Sequence, residues 1–582
     1  MFLFRNKKLP FLYLRKNNLI ILILLIIFLY FINSVLFSRN IFSNHVLLLL
    51  HEASQLLSGN TPYKEINIHY GIGTPLINAF SLLIFGKNIF SIFLMTNIFY
   101  FLSIFFILLI FLKFKFSFVD NLFFILILIN VHPATELPWS SYLSFFPIVL
   151  SLYFILQKKK KHYFLSGLCL ALACLIRETV LLSAGIIFFY VIIESFFFKK
   201  KNFNNLKFYI LGFFIPLTIF VVYMIISSNY LIWIELGYPL YRWQSLINIG
   251  YYIKNDLTPL RKFYIFFLAP YREIFLTFLK SITYLWINWL LIFISYFCCI
   301  LIFCKLLINN SKSWEKDEST KYKVGIISVY GLSLILQNMH IPAISRIACG
   351  SIISMLTLFY FLNKICQDKK IRFSIYTVII ILLFFNSKGV FPEKNISGLN
   401  NFYEESFANV KNITGSFSIN KQDLDKKPKI IEFKNMNYEQ STHKFYNDLI
   451  KVCEELRVKR GIKYLDNQTF FWELPYFCKT KPKYYYVLTL ANFLEENFKK
   501  SKMSKSYDSN NHNTIAFYVS DNINLKETTY FDINGFAKKR KIENLNILYR
   551  FDLKKDYPEV FRYYQVRFLF ITQSYVRLTN IN

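Results

Sequence analysis

Carboxylates, imidazoles and glycines are concentrated in one polar stretch, residues 51–73, which follows an apolar run. The stretch holds two carboxylates, two histidines and three glycines. A carboxylate in a partly apolar site can serve as a general base or bind a divalent metal ion. A loop that only joins two membrane helices needs none of these groups, so we expect chemistry here. The residues of interest are His51, Glu52, Gly59, Pro62, Tyr63, Glu65, His69, Tyr70 and Gly71.

Further charged residues are predicted to lie in other loops, on the same side of a membrane as residues 51–73. Glu136 is the main additional acid, and Arg177, Arg242 and Arg346 are bases that could bind a phosphate group in bidentate fashion. Arg346 adjoins an apolar run, where a charge is costly unless it is used. Two simpler interpretations stay open. Each acid could be solvated or paired with a neighbouring base, and Arg242 could attract lipid headgroups.

Metal and nucleotide motifs are incomplete in this sequence. His51-Glu52 has no second histidine at the HExxH spacing, and the GxGxxG pattern that starts at Gly71 fails because residue 76 is leucine. We therefore expect no nucleotide cofactor. A divalent metal ion remains open, with Glu65 as its candidate ligand.

The composition of the chain indicates an integral membrane protein. Hydrophobic residues make up 55% of 582 residues, and the mean hydropathy is +0.37. Several apolar runs reach the roughly 20 residues that cross a bilayer, and Asn18 to Phe37 is predicted to be a retained anchor. The net charge of +32 lies largely beside these runs. It does not resemble a nucleic-acid-binding pattern, so no nucleic-acid partner is expected.

Lysine-rich segments alternate with lysine-poor ones along the chain, which predicts its orientation. We predict about eleven transmembrane helices, with the N-terminus inside and the C-terminus outside. Residues 38–87 and 228–274 then form outer loops. The predicted spans are about 18–37, 88–112, 119–132, 141–157, 163–176, 179–197, 206–227, 275–304, 324–339, 347–363 and 373–387.

Residues 1–387 are thus predicted to form a membrane domain, and residues 388–582 a small α/β domain outside the cytoplasm. Residues 429–433 and 514–519 are predicted strands, and residues 441–459 show helical spacing. Cys453 and Cys478 lie in this polar region and are a candidate disulfide if the region is extracytoplasmic.

Part of the polar stretch resembles a known family. Residues 53–71 read A-x-x-L-x-S-G-N-x-P-Y-K-E-x-x-x-x-Y-G, which is similar to the first outer loop of the GT-C membrane glycosyltransferases. That family includes protein mannosyltransferases and lipid A aminoarabinose transferases. The match covers about residues 45–90, and weaker sequence similarity to the family occurs at residues 139–142, 167–178 and 344–348. The resemblance implies many spans, interfacial helices in the first outer loop and an outer C-terminal domain.

The resemblance also implies a reaction. Family members transfer a sugar from a polyprenyl-phosphate carrier to an acceptor at the outer face of the membrane. A carboxylate would deprotonate the acceptor hydroxyl, and arginine or a metal ion would stabilise the departing phosphate. Glu65 matches a family acid, and Glu52 and Glu136 are the other candidate bases. Arg177, Arg346 and Arg242 are the candidate phosphate ligands. The acceptor, whether a protein, a lipid or a glycan, is not specified, and the expected location is a bacterial inner or plasma membrane.

The sequence departs from the family at one position. The leading family acid lies about 13 residues before Ser58-Gly59, where this chain has Val46. One alternative is therefore a catalytically degenerate protein that binds a lipid-linked sugar or acts as a scaffold. Another is an envelope polysaccharide polymerase or ligase, which the 228–274 loop would suit. A transporter is disfavoured, because the central spans lack obvious charged relays.

Overall fold

The computed structural model describes the chain in segments: residues 22, 23, 25, 43–63, 68, 70–114, 116–132, 138–194, 203–227, 269–308, 318–335 and 344–385, and five short strands between 464 and 540. The described part of residues 43–385 is almost entirely helical. Its helices are α1 Ser43–Leu57, α2 Gly73–Phe85, α3 Ile89–Leu112, α4 Phe118–Val131, α5 Ser140–Ile155, α6 Lys160–Ile176, α7 Val180–Ile193, α8 Phe203–Ile226, α9 Ala269–Ile308, α10 Glu318–Ser333, α11 Ile344–Ile365 and α12 Lys369–Phe385.

Helices α3, α8, α9 and α11 contain segments long and apolar enough to cross a membrane. These segments are Ile89–Leu112, Asn205–Ile226, Trp286–Lys305 and Ile347–Ile365. The prediction of a helical membrane protein is therefore confirmed in its general form. The eleven crossings and their inside-to-outside order stay predictions. The anchor at 18–37 lies outside the described residues, apart from three of its positions.

Helices α6 and α8 cross at two glycines. A Cβ atom on Gly167 would overlap the carbonyl oxygen of Tyr209, and one on Gly212 would overlap that of Phe164. Small residues at such a crossing let two helix backbones approach closely. Inside a membrane, where the hydrophobic effect does not drive helices together, this close packing stabilises their association. The crossing fixes the position of α6, whose C-terminal end leads into Arg177.

Buried hydroxyl groups link α5 to its neighbours in the bundle. The Ser151 hydroxyl lies 3.0 Å from that of Ser166 in α6 and 2.8 Å from that of Tyr330 in α10. A polar group in an apolar interior costs free energy unless it is hydrogen-bonded, so these contacts hold three helices in one register.

The starts of α4 and α12 are joined by a buried ion pair. Arg372 donates from Nε to Asp120 Oδ1 at 2.8 Å and from Nη2 to Asp120 Oδ2 at 3.2 Å. Asp120 also closes the N-terminal capping box of α4 with Ser117. One carboxylate therefore begins α4 and anchors α12, at the end of the bundle where Lys113 and Lys323 also lie. We call this end the lysine end.

The described C-terminal segments are strands. The strands β1 Tyr464–Asp466, β2 Lys481–Pro482 and β3 Thr514–Ala516 form a parallel sheet in the order β2-β1-β3. The strands β4 Thr528–Phe531 and β5 Ala537–Arg540 pair antiparallel. The predicted strand at 514–519 is confirmed over its first half. The predicted strand at 429–433, the predicted helix at 441–459 and the two candidate disulfide cysteines, Cys453 and Cys478, lie outside the described residues.

Candidate functional site

The first part of the polar stretch is helical, which corrects the expectation of a loop there. Helix α1 continues from the apolar run to Leu57 and packs against α2 and α3. Glu52 is fully buried and His51 nearly so, together with Leu49 and Ala53. No proline or glycine interrupts residues 43–57, and the buried residues stabilise the helix despite its polar residues. Burial lowers the pKa of His51 to about 4, so the imidazole is neutral at neutral pH.

A tight turn follows α1 within the part that carries the family resemblance. Gly59 has a φ of 82°, which suits glycine at the end of a helix. Tyr63 has a φ of 59°, an unfavourable backbone conformation for a residue with a side chain. The Tyr63 hydroxyl donates to Glu178 Oε1 at 3.4 Å, and its buried ring meets Phe220 edge-on. These contacts hold the strained backbone against the ends of α6 and α8.

The end of the stretch is docked onto the last residues of α6. A Cβ atom on Gly71 would overlap the Leu175 carbonyl oxygen, so only glycine fits this approach. The Thr74 hydroxyl donates to the Ile176 carbonyl at 2.7 Å and fixes the start of α2. The chain therefore turns at Gly71 and enters α2 at Gly73.

Helix α2 has the length and surface of an interfacial helix. At 13 residues it is about 20 Å long, which is shorter than a bilayer core. It buries Thr74, Asn78 and Ser81, and it exposes more than half of Leu76, Phe80, Leu83 and Ile84. The resemblance implied an interfacial helix in this position.

Arg177 lies where this docked stretch meets the ends of several helices. It directly follows α6, and only 6% of its surface is exposed. Its Nε donates to Thr179 Oγ1 at 2.9 Å, and its Nη1 donates to Ser140 Oγ, at the start of α5, at 3.4 Å. The Tyr70 ring centroid lies 5.9 Å from the guanidinium carbon. Two predicted site residues, Arg177 and Tyr70, are therefore brought together.

The first turns of α11 approach the same place. The Cys349 thiol donates to the Ser141 carbonyl at 3.5 Å, next to the serine that accepts from Arg177. Arg346 is three residues before Cys349, so its backbone is one helical turn from this contact. Its side chain is outside the described residues. The backbones of two candidate phosphate ligands thus belong to neighbouring helix ends.

A second polar contact joins α4 to α11 at this end of the bundle. His132 directly follows α4, and its Nε2 lies 2.6 Å from the Ser351 hydroxyl. The Tyr100 hydroxyl donates to the His132 carbonyl at 2.5 Å. Neither Ser351 nor Tyr100 was predicted as a site residue, and neither were the Arg177 partners Ser140 and Thr179. Hydroxyl side chains are frequent in these apolar runs, so no sequence signal singles out these four.

Several predicted site residues lie outside the described residues: Glu65, His69, Glu136 and Arg242. Pro62 is half-buried in the described turn, and Gly59 is exposed. Within the described part of the chain, no three histidine, cysteine, aspartate or glutamate residues group closely enough to hold a metal ion. The proposed role of Glu65 as a metal ligand stays a prediction.

Comparisons with known proteins give a structural likeness. No protein-family model and no curated protein matches the sequence. The crystal structure of ArnT from Cupriavidus metallidurans bound to undecaprenyl phosphate aligns over 81% of this chain and 86% of that protein. The sequence identity is 9% and the TM-score is 0.41. A TM-score below 0.5 does not establish a common fold, so the proposals below depend on the residues themselves.

Proposed function

We propose that this protein is an integral-membrane glycosyltransferase that moves a sugar from a polyprenyl-phosphate donor to an acceptor of the cell envelope, at the outer face of the membrane. The observation that carries the proposal is the buried Arg177. It lies where the stretch resembling the GT-C transferases docks onto the end of α6, and its side chain reaches Ser140 at the start of α5 and Thr179 just before α7. A lipid-linked phosphate would meet a fixed positive charge there.

The surroundings of Arg177 suit phosphate recognition. Arginine stays charged even when it is buried, and its planar group can donate two parallel hydrogen bonds to phosphate oxygens. Thr179 and Ser140 accept from different nitrogens and so fix the plane of the guanidinium. A charge held in this way needs little reorganisation as negative charge develops on the leaving phosphate.

The acid–base part of the reaction needs a carboxylate. As the bond between the sugar and the phosphate oxygen breaks, the acceptor oxygen forms the new bond to the anomeric carbon and passes its proton to the base. The phosphate leaves with the bond's electrons and stays on the lipid. Glu65 is our first choice for the base, because it follows the docked Tyr63 by two residues in the sequence that resembles the family. Glu52 and Glu136 are the other candidates.

A sugar-transfer assay in membranes, with a labelled polyprenyl-phosphate sugar, tests the proposal. We expect Glu65→Gln to lower turnover by roughly 10²-fold or more, which is the usual contribution of a general base. Asp368→Asn is the matched control, because this exposed acid lies beside α12 and the change is chemically the same. Unchanged turnover in Glu65→Gln would reject the assignment of the base.

Val46 supports a second candidate function. Residue 46 lies in α1, where the family has its leading acid, and valine cannot accept a proton. A protein that has lost turnover would still bind the lipid-linked sugar through Arg177. Saturable binding of the donor, with no transfer to any envelope fraction, would favour this alternative over the transferase.

A further inference from the structure

His132 is a buried histidine to which the proposed reaction gives no role. It directly follows α4, and only 1% of its surface is exposed. Its Nε2 lies 2.6 Å from the Ser351 hydroxyl in α11. Its Nδ1 is also buried, and no polar atom pairs with it in the part of the chain that the structure describes. A buried polar atom costs free energy unless it is hydrogen-bonded, so a ligand that pairs with Nδ1 would gain affinity.

The start of α5 connects His132 with the Arg177 site. The ring of Tyr142, in the first turn of α5, lies 5.4 Å from the ring of Tyr100. The Tyr100 hydroxyl in turn donates to the His132 carbonyl. Ser140, two residues before Tyr142, accepts from Arg177. His132 and Arg177 are therefore both linked to the first turn of α5, at the same end of the bundle.

Helix α11 gives a second connection between the two residues. The Cys349 thiol donates to the Ser141 carbonyl, which is next to the serine that accepts from Arg177. Ser351, which contacts His132, follows Cys349 by two residues. Two residues rise only about 3 Å along a helix, so both contacts of α11 lie at nearly the same height in the bundle. The imidazole thus belongs to the group of helix ends that includes the Arg177 site.

A structural role explains only one of the two ring nitrogens. The contact of Nε2 with Ser351 joins α4 to α11, and many buried histidines do no more than that. This contact also orients the ring, and the position of the Ser351 hydrogen decides which nitrogen carries the ring proton. It leaves Nδ1 unpaired.

A hydroxyl group is a partner that suits Nδ1 in either tautomer. If Ser351 donates to the Ile347 carbonyl, 3.1 Å away, then Nε2 carries the ring proton and Nδ1 accepts. If Ser351 donates to Nε2 instead, Nδ1 carries the proton and donates. A hydroxyl group both donates and accepts, whereas the oxygens of a phosphate diester only accept. Sugars are the part of the proposed donor that carries hydroxyl groups.

We propose that Nδ1 of His132 binds a hydroxyl group of the sugar that the polyprenyl phosphate carries. This inference rests on the proposed function, because it places the sugar beside the phosphate that Arg177 binds. Ser351 is then a positioning residue, since it holds the ring through Nε2. The acceptor's hydroxyl has the same chemistry. The donor's sugar is favoured, because its covalent bond to the phosphate brings it to this end of the bundle.

Two substitutions of His132 separate sugar binding from the structural contact. A glutamine amide reaches about as far as Nε2 and can keep the hydrogen bond to Ser351, whereas the shorter asparagine places its amide near the position of Nδ1. If Nδ1 binds the sugar, His132→Gln should lose sugar binding and His132→Asn should retain more of it. If His132 only joins α4 to α11, the order should be reversed.

Lipid binding to the purified full-length protein in neutral detergent gives the measurement. The probes are undecaprenyl phosphate and undecaprenyl phosphate that carries mannose, glucose or aminoarabinose. We expect wild type to bind at least one sugar-bearing lipid roughly tenfold more tightly than undecaprenyl phosphate, which is the effect of one well-placed hydrogen bond. His132→Gln should lose this preference and bind undecaprenyl phosphate as wild type does. Arg177→Gln should weaken the binding of every probe.

His162→Gln is the matched control, because His162 lies in the first turn of α6, at the lysine end, and the chemical change is the same. It should keep the wild-type preference. The proposal is overturned if wild type shows no preference for a sugar-bearing lipid, if His132→Gln keeps the preference, or if His132→Asn loses more of it than His132→Gln. Slower sugar transfer by His132→Gln with unchanged donor binding would assign Nδ1 to the acceptor and would also overturn it. The proposed function itself fails if Arg177→Gln binds every probe as wild type does.

Thermal unfolding in lipid-free detergent shows whether each variant is folded. His132→Gln should unfold close to the wild-type temperature, because Ser351 keeps a partner, and His132→Asn should unfold at a lower temperature. A loss of sugar preference without a loss of stability is a result that a purely structural role would not give. If His132→Gln fails to fold, His132→Asn decides alone: a retained preference supports the proposal, and a lost preference rejects it.

Discussion

Replacing Gly71 by alanine tests whether the docked stretch positions the site. The added methyl group would overlap the Leu175 carbonyl oxygen and would stand 2.8 Å from the Leu175 carbonyl carbon and 3.0 Å from that of Ile176. Ordinary contacts of this kind are 3.4–4 Å. All three atoms belong to the backbone of α6, so no side-chain rotation relieves the overlap. The stretch must move away by roughly 1 Å, and overpacking of this kind costs about 1–3 kcal/mol of folding free energy.

This movement would displace residues that surround Arg177. Tyr70 precedes Gly71 and lies beside the Arg177 guanidinium, and Thr74 would lose its 2.7 Å hydrogen bond to Ile176. Misplacement of a positioned group by about 1 Å can cost 10²-fold in rate. We therefore expect Gly71→Ala to unfold at a lower temperature and to lose sugar-transfer activity by one to two orders of magnitude.

Gly185→Ala is the matched control, because a Cβ atom on Gly185, in α7, would meet no atom within 4 Å. It should transfer sugar at the wild-type rate. Thermal unfolding in detergent and the transfer assay give the two readings. If Gly71→Ala kept both the wild-type unfolding temperature and the wild-type rate, the close docking of this stretch would be wrong.

Three further predictions concern stability, and thermal unfolding in detergent checks each of them. Asp120→Asn leaves the buried Arg372 without its carboxylate, so we expect a loss of about 3–5 kcal/mol; a loss below about 1 kcal/mol would contradict the buried pair. Gly212→Val should separate α6 from α8 and lower the unfolding temperature, whereas a neutral result would disprove their close crossing. The folded protein disfavours protonated His51, whose pKa falls from 6.5 to about 4, so stability should be full above pH 6.5 and decline towards pH 4 by on the order of 3 kcal/mol. His51→Leu should remove that part of the decline, and an unchanged pH profile would refute a buried neutral imidazole.

The helices of the membrane domain could be predicted from the sequence because apolar runs of this length have few alternatives. The predicted span at 88–112 corresponds to Ile89–Leu112 within one residue at its start. The boundaries differ where a helix continues beyond its apolar part. Helix α9 begins at Ala269, before the predicted start near 275, and extends to Ile308. Polar residues at a helix end do not stop it unless a cap or a proline does.

Helix α1 shows where local pattern fails. His51 and Glu52 look like loop residues beside an apolar run. Their burial depends on packing against α2 and α3, which follow α1 in the sequence. The polar types alone therefore predicted a loop where tertiary packing forms a helix.

The site could be predicted only in part. Arg177 could be predicted because it is one of the basic residues in the loops of the predicted outer face, where a phosphate would be bound. Its partner Ser140 lies 37 residues earlier, and Tyr63 meets Glu178 across 115 residues. Contacts of this separation follow from how the helices pack. Such long-range contacts cannot be predicted from the pattern of a single sequence.

Binding of polyprenyl phosphate to Arg177 variants tests the central claim most directly. The affinity of the purified protein for a polyprenyl phosphate would be compared between wild type, Arg177→Lys and Arg177→Gln. We predict a loss of roughly 10- to 100-fold for Arg177→Gln, as expected when a hydrogen-bonded charge is removed, and a smaller loss for Arg177→Lys, which keeps the charge without the planar fork. Wild-type affinity in Arg177→Gln, with the protein still folded, would contradict the account.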